Sequence, residues 1–183
     1  MKKPLCSVAN LGFLVLLLGL TLLAKSQTYP EYRDLFINDY ADLLSTPEEA
    51  QLQAQLQFLK AETGKEIMVF TLVSFHDYTG ANSNIEGFAT GLFNSRRAGN
   101  APLQDGILLL ISLHDRELRV QLGKGYTDQD DRVASMVIAE YLVPAFQQGE
   151  YSRGIVRATE VLSYKLGEII SSNTSAAGAS GKW

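Results

Sequence analysis

Apolar positions recur along this chain with two different periods, and the periods alternate. In "STPEEAQLQAQLQFLKAETG", Leu52, Leu56 and Leu59 repeat at helical spacing. Thr46 stands as N-cap, Pro47 takes the first helical position, Glu49 closes a capping box and Gly64 ends the run, so the stretch predicts a helix. "KEIMVFTLV" is β-rich and apolar throughout, the pattern of a strand covered on both faces. "IEGFATGLF" returns to helical spacing through Ile85, Phe88, Ala89, Leu92 and Phe93. "DGILLLISL" predicts a second buried strand, "HDRE" a turn, and "LRVQLG" alternates as a half-exposed hairpin partner does.

Two more helices follow. "DDRVASMVIAEYLVPAF" reads as a helix that stops near Pro144, and "YSRGIVRATEVLSYKLGEII" as an amphipathic helix through Tyr151, Ile155, Ala158, Leu162, Leu166 and Ile169. With a short first strand at "DLFIN", the order is β-α-β-α-β-β-α-α. It predicts a single α/β domain: a small mixed twisted sheet of about four strands, helices on both faces, with "EIMVFTLV" and "GILLLIS" central and "LRVQL" nearer an edge.

The ends of the chain fall outside that pattern. "MKK" and the apolar run Leu11 to Ala24, followed by "AKS", have the layout of a secretory signal cleaved after Ser26. This divides the chain into a signal peptide at 1–26, the domain at 27–170 and a flexible polar tail at 171–183. The expected location is the periplasm or the medium, with a membrane attachment only if the signal stays uncleaved.

Removing the signal changes the chemistry on offer. Cys6, the one cysteine, leaves with it, and disulfides, thiolate metal sites and cysteine nucleophiles leave too. The formal charge of −4 falls to near −7, since Lys2, Lys3 and Lys25 go and no acid does. An acidic domain has no electrostatic footprint for nucleic acid and favours cations instead.

"GKGYTDQDD" (Gly123 to Asp131) is the stretch that most resembles a binding loop. It lacks the spacing of G-x-x-x-x-G-K-[ST], and Asp128 stands where G-x-G-x-x-G requires its third glycine, so it is no nucleotide cradle. An EF-hand fails as well, because Arg132 and Val133 replace a ligand and the turn glycine. A cation site built from several loops remains open, with Asp39 after the first strand, Asp105 before the third, and Asp128, Asp130 and Asp131 as candidates. Equally open is that Asp39 satisfies a turn, Asp105 starts one with Gly106 and Asp131 caps a helix. His76 and His114, the two histidines, stand in expected loops without nucleophile-elbow glycines.

"FINDYADLLS", "LKAETGKEIMVFTLVSF", "FATGLFN", "DGILLLISLHDRELRVQLGKGY" and "LVPAFQQGEYSRGI" stand in the order and spacing of the TPM domain. From Phe36 to Leu166 the chain resembles that family, which includes thylakoid-lumen proteins of photosystem repair and secreted or membrane-anchored bacterial proteins. The resemblance implies a small twisted sheet between helices and binding of divalent cations, calcium before magnesium, through loop carboxylates at one sheet end. By position, Asp39 of "NDY" and Asp105 of "DGI" match its recurrent acids. Asp128, Asp130 and Asp131 match a more variable acidic loop.

A plant member of the family is described as an acid phosphatase. Where many members read Trp-Gly-Ile-Gly, this chain has "SRRAGN", keeping Gly99 alone, and Arg96 and Arg97 read as solvated loop charges. Two roles follow as expectations: an exported, calcium-binding accessory domain that contacts other cell-envelope proteins, and, as the alternative, a metal-assisted phosphatase acting on phosphomonoesters.

Overall fold

The computed structural model describes residues 29–78, 84–96, 105–167 and 178–183. The expected signal peptide and its cleavage point lie outside the described residues. Five strands form one open sheet in chain order: β1 (Ile37–Asp39), β2 (Ile67–Leu72), β3 (Ile107–Ser112), β4 (Glu117–Leu122) and β5 (Gly178–Lys182). β1, β2 and β3 run parallel, with Asp39 opposite Thr71 and Ile67 opposite Ile107. β3 and β4 pair antiparallel through the turn at 113–116, Ile107 opposite Leu122. The expected mixed α/β domain is therefore present, one strand larger.

Helices α1 (Thr46–Thr63) and α2 (Ile85–Arg96) make the two crossovers between the parallel strands. After β4 come α3 (Asp128–Val137), a π-helical turn (Ile138–Leu142), α4 (Val143–Gln147) and α5 (Tyr151–Gly167). The sheet separates two cores. Ile67, Val69, Ile107, Leu109, Leu118 and Val120 face α1, α3 and α5. Met68, Phe70, Leu72, Leu108 and Leu110 face α2, where Phe88 and Leu92 meet them. The apolar runs of β2 and β3 follow from that double coverage, since each side chain of either strand meets a packed layer.

Several sequence expectations shift. The cap of α1 is Ser45 rather than Thr46: the Ser45 backbone N–H donates to Glu48 Oε2 over 2.9 Å, which makes Glu48, not Glu49, the box partner. Gly64 ends the helix at φ 75°, as its missing Cβ allows. Nor does the chain stop at Pro144. A proline inside an α-helix removes one hydrogen bond and clashes with the carbonyl four residues back. Here the π turn over Ile138–Leu142 shifts the hydrogen-bond register just ahead of it, so Pro144 opens the next helical segment, and the helix continues to Gln147.

β4 is less exposed than its alternation suggests, because α2 covers its polar face and buries Arg119 and Gln121. Residues 178–182, expected within the flexible tail, pair with β4 as an antiparallel edge strand.

Candidate functional site

The stretch from Gly123 to Asp131 sits where β4 ends and β3 begins. Gly123 N–H donates to Gly106 O (2.9 Å) and Tyr126 N–H to Gly123 O (3.2 Å), which folds residues 123–126 back over the sheet end. The Tyr126 ring is buried, and its hydroxyl donates to the Asp105 carbonyl over 2.7 Å. Thr127 then caps α3. Its N–H and its hydroxyl both donate to Asp130 Oδ2, at 2.7 and 2.8 Å, so Asp130 is a buried capping-box partner.

Asp105, Asp128, Asp130 and Asp131 thus gather at one end of the sheet. Asp131 is set apart by what it lacks: its Oδ1 is buried without a hydrogen-bond partner. Burial pushes its carboxyl above the ordinary carboxylate value; Asp128 and Asp130 push the same way, while Arg119 and Arg132 oppose them. A carboxylate strained in this manner is relieved by a proton or by a cation. Between α2 and the end of β4 lies a cleft of about 150 Å³ lined by Thr90, Asn94, Arg119, Gln121 and Lys124. Thr90 Oγ1 and Arg119 Nη2 both donate to Gln121 Oε1, at 3.1 and 3.3 Å.

Asp39 is elsewhere. In parallel strands, the residue that leaves one strand and the residue that enters the next lie at opposite ends. Asp39 closes β1 beside Thr71 near the end of β2, whereas Asp105 precedes Ile107 at the start of β3. Six strand residues separate the two levels, about 20 Å. The expected meeting of Asp39 with Asp105 and the acidic loop does not occur. Both Asp39 oxygens serve the fold: the Thr71 hydroxyl donates to Oδ1, and Leu44 N–H donates to Oδ2 over 2.8 Å.

Around Asp39 lies a second acidic patch that the sequence reading missed. The carboxyl of Glu49 is raised by burial foremost, then by Asp39, Asp42 and Asp34. Asp34 is occupied, accepting from Phe36 N–H at 2.7 Å and from Gln53 Nε2 at 3.0 Å. Nothing in the spacing of Asp34, Asp42 and Glu49 marks them as neighbours; the β1–α1 connection brings them together.

Among the described residues, no three His, Cys, Asp or Glu side chains stand close enough to hold a metal ion between them. Asp39 fits a cation poorly, because both its oxygens already accept hydrogen bonds within the fold, and Oδ2 of buried Asp130 is taken by the Thr127 cap. The orphaned Oδ1 of Asp131, with exposed Asp128 nearby, fits better. Arg96 is not a solvated charge. Its Nη1 donates to Leu35 O over 3.0 Å, and its guanidinium covers the Tyr32 ring at 4.7 Å. Arg97 lies outside the described residues, while His76 and His114 are exposed.

The sequence pattern of the TPM domain matches residues 37–164. The chain belongs to the TPM domain family. Its fold is similar to the NMR structure of the N-terminal domain of a protein from P. gingivalis, with 26% identity and a TM-score of 0.57 over 71% of this chain and 83% of that one. The N-terminal domain of the cg2496 protein from Corynebacterium glutamicum matches at 20% identity and a TM-score of 0.55, over 81% of this chain and 88% of its own. The BA42 protein from Bizionia argentinensis matches at 18% identity and 0.55, over 70% and 85%. No curated protein matches the chain.

Proposed function

We propose that this TPM domain is an exported binding module that takes a divalent cation, calcium before magnesium, at the sheet end carrying Asp131 and Asp128, and contacts other cell-envelope proteins. The observation that carries the reading is the buried Oδ1 of Asp131, without a hydrogen-bond partner, in a carboxyl raised by burial and by Asp128 and Asp130 against the pull of Arg119 and Arg132. Calcium tolerates an irregular shell of carboxylates, carbonyls and water, which suits a loop-and-helix start better than the strict octahedron of magnesium. With few protein carboxylates to offer, the affinity belongs in the range of about 10⁻⁴–10⁻³ M, that of extracellular calcium modules.

Thermal melts of the full chain in chelator, magnesium and calcium test it. Calcium at about ten times its dissociation constant adds about 1.4 kcal/mol by mass action. For a domain of this size that is a rise of roughly 3–6 °C. The rise is expected to vanish in Asp131→Asn and to persist in Asp39→Asn; no shift with either ion overturns the reading. The alternative, metal-assisted phosphomonoester hydrolysis, is checked on the same samples. Cation-dependent turnover lost in Asp105→Ala would replace the binding role by an enzymatic one.

A further inference from the structure

β5 has the composition of a loop, yet it completes the sheet. Its sequence, Gly-Ala-Ser-Gly-Lys, combines residues depleted in strands and offers little apolar area to bury. What it covers is substantial: the outer hydrogen-bonding edge of β4, a strand whose other edge is taken by β3 and whose Leu118, Val120 and Leu122 belong to the core. A bare edge of that kind is a template for any extended chain. The TPM pattern itself ends at residue 164, before this strand begins.

Beyond the backbone ladder with β4, specific contacts hold the strand. Lys182 stands opposite Glu117 in the register and pairs with it at 2.6 Å. Ser180 Oγ donates to Glu86 on α2. Trp183 N–H donates to Arg116 O over 3.3 Å, and the indole meets the Phe146 ring edge-on, centroids 4.7 Å apart. The indole lines a cleft of about 740 Å³ with His114, Arg116, Phe146 and Tyr151. At Gly181 a Cβ would stand 3.0 Å from Ile138 Cγ2, so a side chain there, and a branched one above all, forces Ile138 of the π-helical turn to give way.

We infer that the outer edge of β4 is a strand-docking site, occupied in cis by the chain's own C-terminal strand and open in exchange to an extended segment of a partner protein with the same chemistry. That chemistry is legible in the cis strand. A glycine or similarly small residue lies against Ile138, the next residue is a cation opposite Glu117, and an aromatic ring after it reaches Phe146. Backbone hydrogen bonds supply affinity to any strand, and these three positions select among strands. The cis strand is exchangeable because the cation of its ion pair is solvent-screened, with Lys182 73% exposed, and because Gly-Ala-Ser-Gly-Lys brings little apolar area of its own. This surface is the side edge of the sheet along β4, and peptide binding there is read without added cation, so its failure is distinguishable from failure of the proposed cation site.

A fluorescently labelled peptide, AAGASGKW, is the probe, and anisotropy the readout. A chain ending at Ala177 is expected to bind it at least tenfold more tightly than the full chain, in which the edge is occupied. Peptides carrying Gly181→Val or Trp183→Ala are expected to lose at least tenfold in affinity. Equal binding by the two chains, no binding by a folded shortened chain, or undiminished binding of the valine peptide overturns the inference. A shortened chain that pairs with its own copy instead, seen by light scattering, overturns the assignment of the occupant. If circular dichroism finds the shortened chain unfolded, the full-length Trp183→Ala chain replaces it. Its loosened strand must then bind the peptide more tightly than the unmodified chain, or the inference fails.

Discussion

The Tyr126 hydroxyl donates to the backbone carbonyl of Asp105 over 2.7 Å inside the protein, joining the loop after β4 to the start of β3. The two residues are 21 apart in sequence, and their bond fixes the level at which Thr127 begins α3. Tyr126→Phe keeps the ring and removes the donor, so it is expected to cost about 1–2 kcal/mol in urea unfolding. Burial, reinforced by Asp105 and Asp130, pushes the phenol well above its ordinary value. The folded state therefore holds that proton more tightly than the unfolded state. Its contribution is complete at neutral pH and declines only as pH rises above about 10.

Asp131 gives a prediction of opposite sense. Its folded-state carboxyl is raised, by burial first and then by Asp128 and Asp130, so ionising it opposes folding. The sign follows from proton counting: between the unfolded and folded values the native state binds more protons, and stability falls as pH rises through that window. Asp131→Asn removes the charge and is expected to raise the melting temperature at pH 7 in chelator. The gain should shrink as pH falls through that window and be largely gone below about 4, where the unfolded carboxyl also protonates. A gain that is the same at pH 3 and pH 7 would mean that charge is not what strains this position.

Much of this fold could be read from periodicity. The runs at Ile67–Leu72 and Ile107–Ser112 are central because only doubly covered strands are apolar at every position. The stripe through Ile85, Phe88, Ala89, Leu92 and Phe93 is wholly buried, as its spacing requires. The separation of Asp39 from Asp105 was also legible, since two successive β-α-β crossovers make the three strands parallel and place a leaving and an entering residue at opposite ends. β5 was not, because Gly-Ala-Ser-Gly-Lys has no strand signal and is held by contacts with Glu117, Glu86 and Phe146 from distant parts of the chain. The π turn before Pro144 was equally hidden, being a change of hydrogen-bond register rather than of composition.

Gly154 lies within α5, where helix propensity alone favours alanine by about 1 kcal/mol. Packing reverses the sign. A Cβ at this position would stand 2.9 Å from Ala145 Cβ and 3.1 Å from Phe146 Cε2, inside the contact between α5 and α4. Overpacking of that kind costs about 1–3 kcal/mol. Gly154→Ala is thus expected to lower the unfolding free energy measured in urea by about 1 kcal/mol net, and to weaken the seat of Trp183 on Phe146. A loss of tryptophan fluorescence anisotropy in the variant checks the second effect without reference to global stability.

Asp115, in the β3–β4 turn, draws three donors to one carboxylate. Ser112 Oγ donates to Oδ2 over 2.5 Å, Ser74 Oγ lies 3.0 and 2.9 Å from the two oxygens, and Phe75 N–H donates to Oδ2 over 3.0 Å. Partial burial on its own raises this carboxyl, but the hydrogen bonds from Ser112, Ser74 and Phe75 outweigh it and hold the group below its ordinary value. A depressed folded-state value contributes stability above the unfolded value, near 3.9, and loses it as pH falls through the folded one. Asp115→Asn keeps the shape but gives up the charge that strengthens all three bonds. It is expected to cost about 1.5–3 kcal/mol at pH 7, loosening the turn that ties β3 to the end of β2. Urea unfolding at pH 7 and pH 3 checks the assignment. The difference between variant and parent must narrow in acid, where the parent carboxylate is also neutralised, and a difference unchanged by pH would locate the cost in packing rather than in charge.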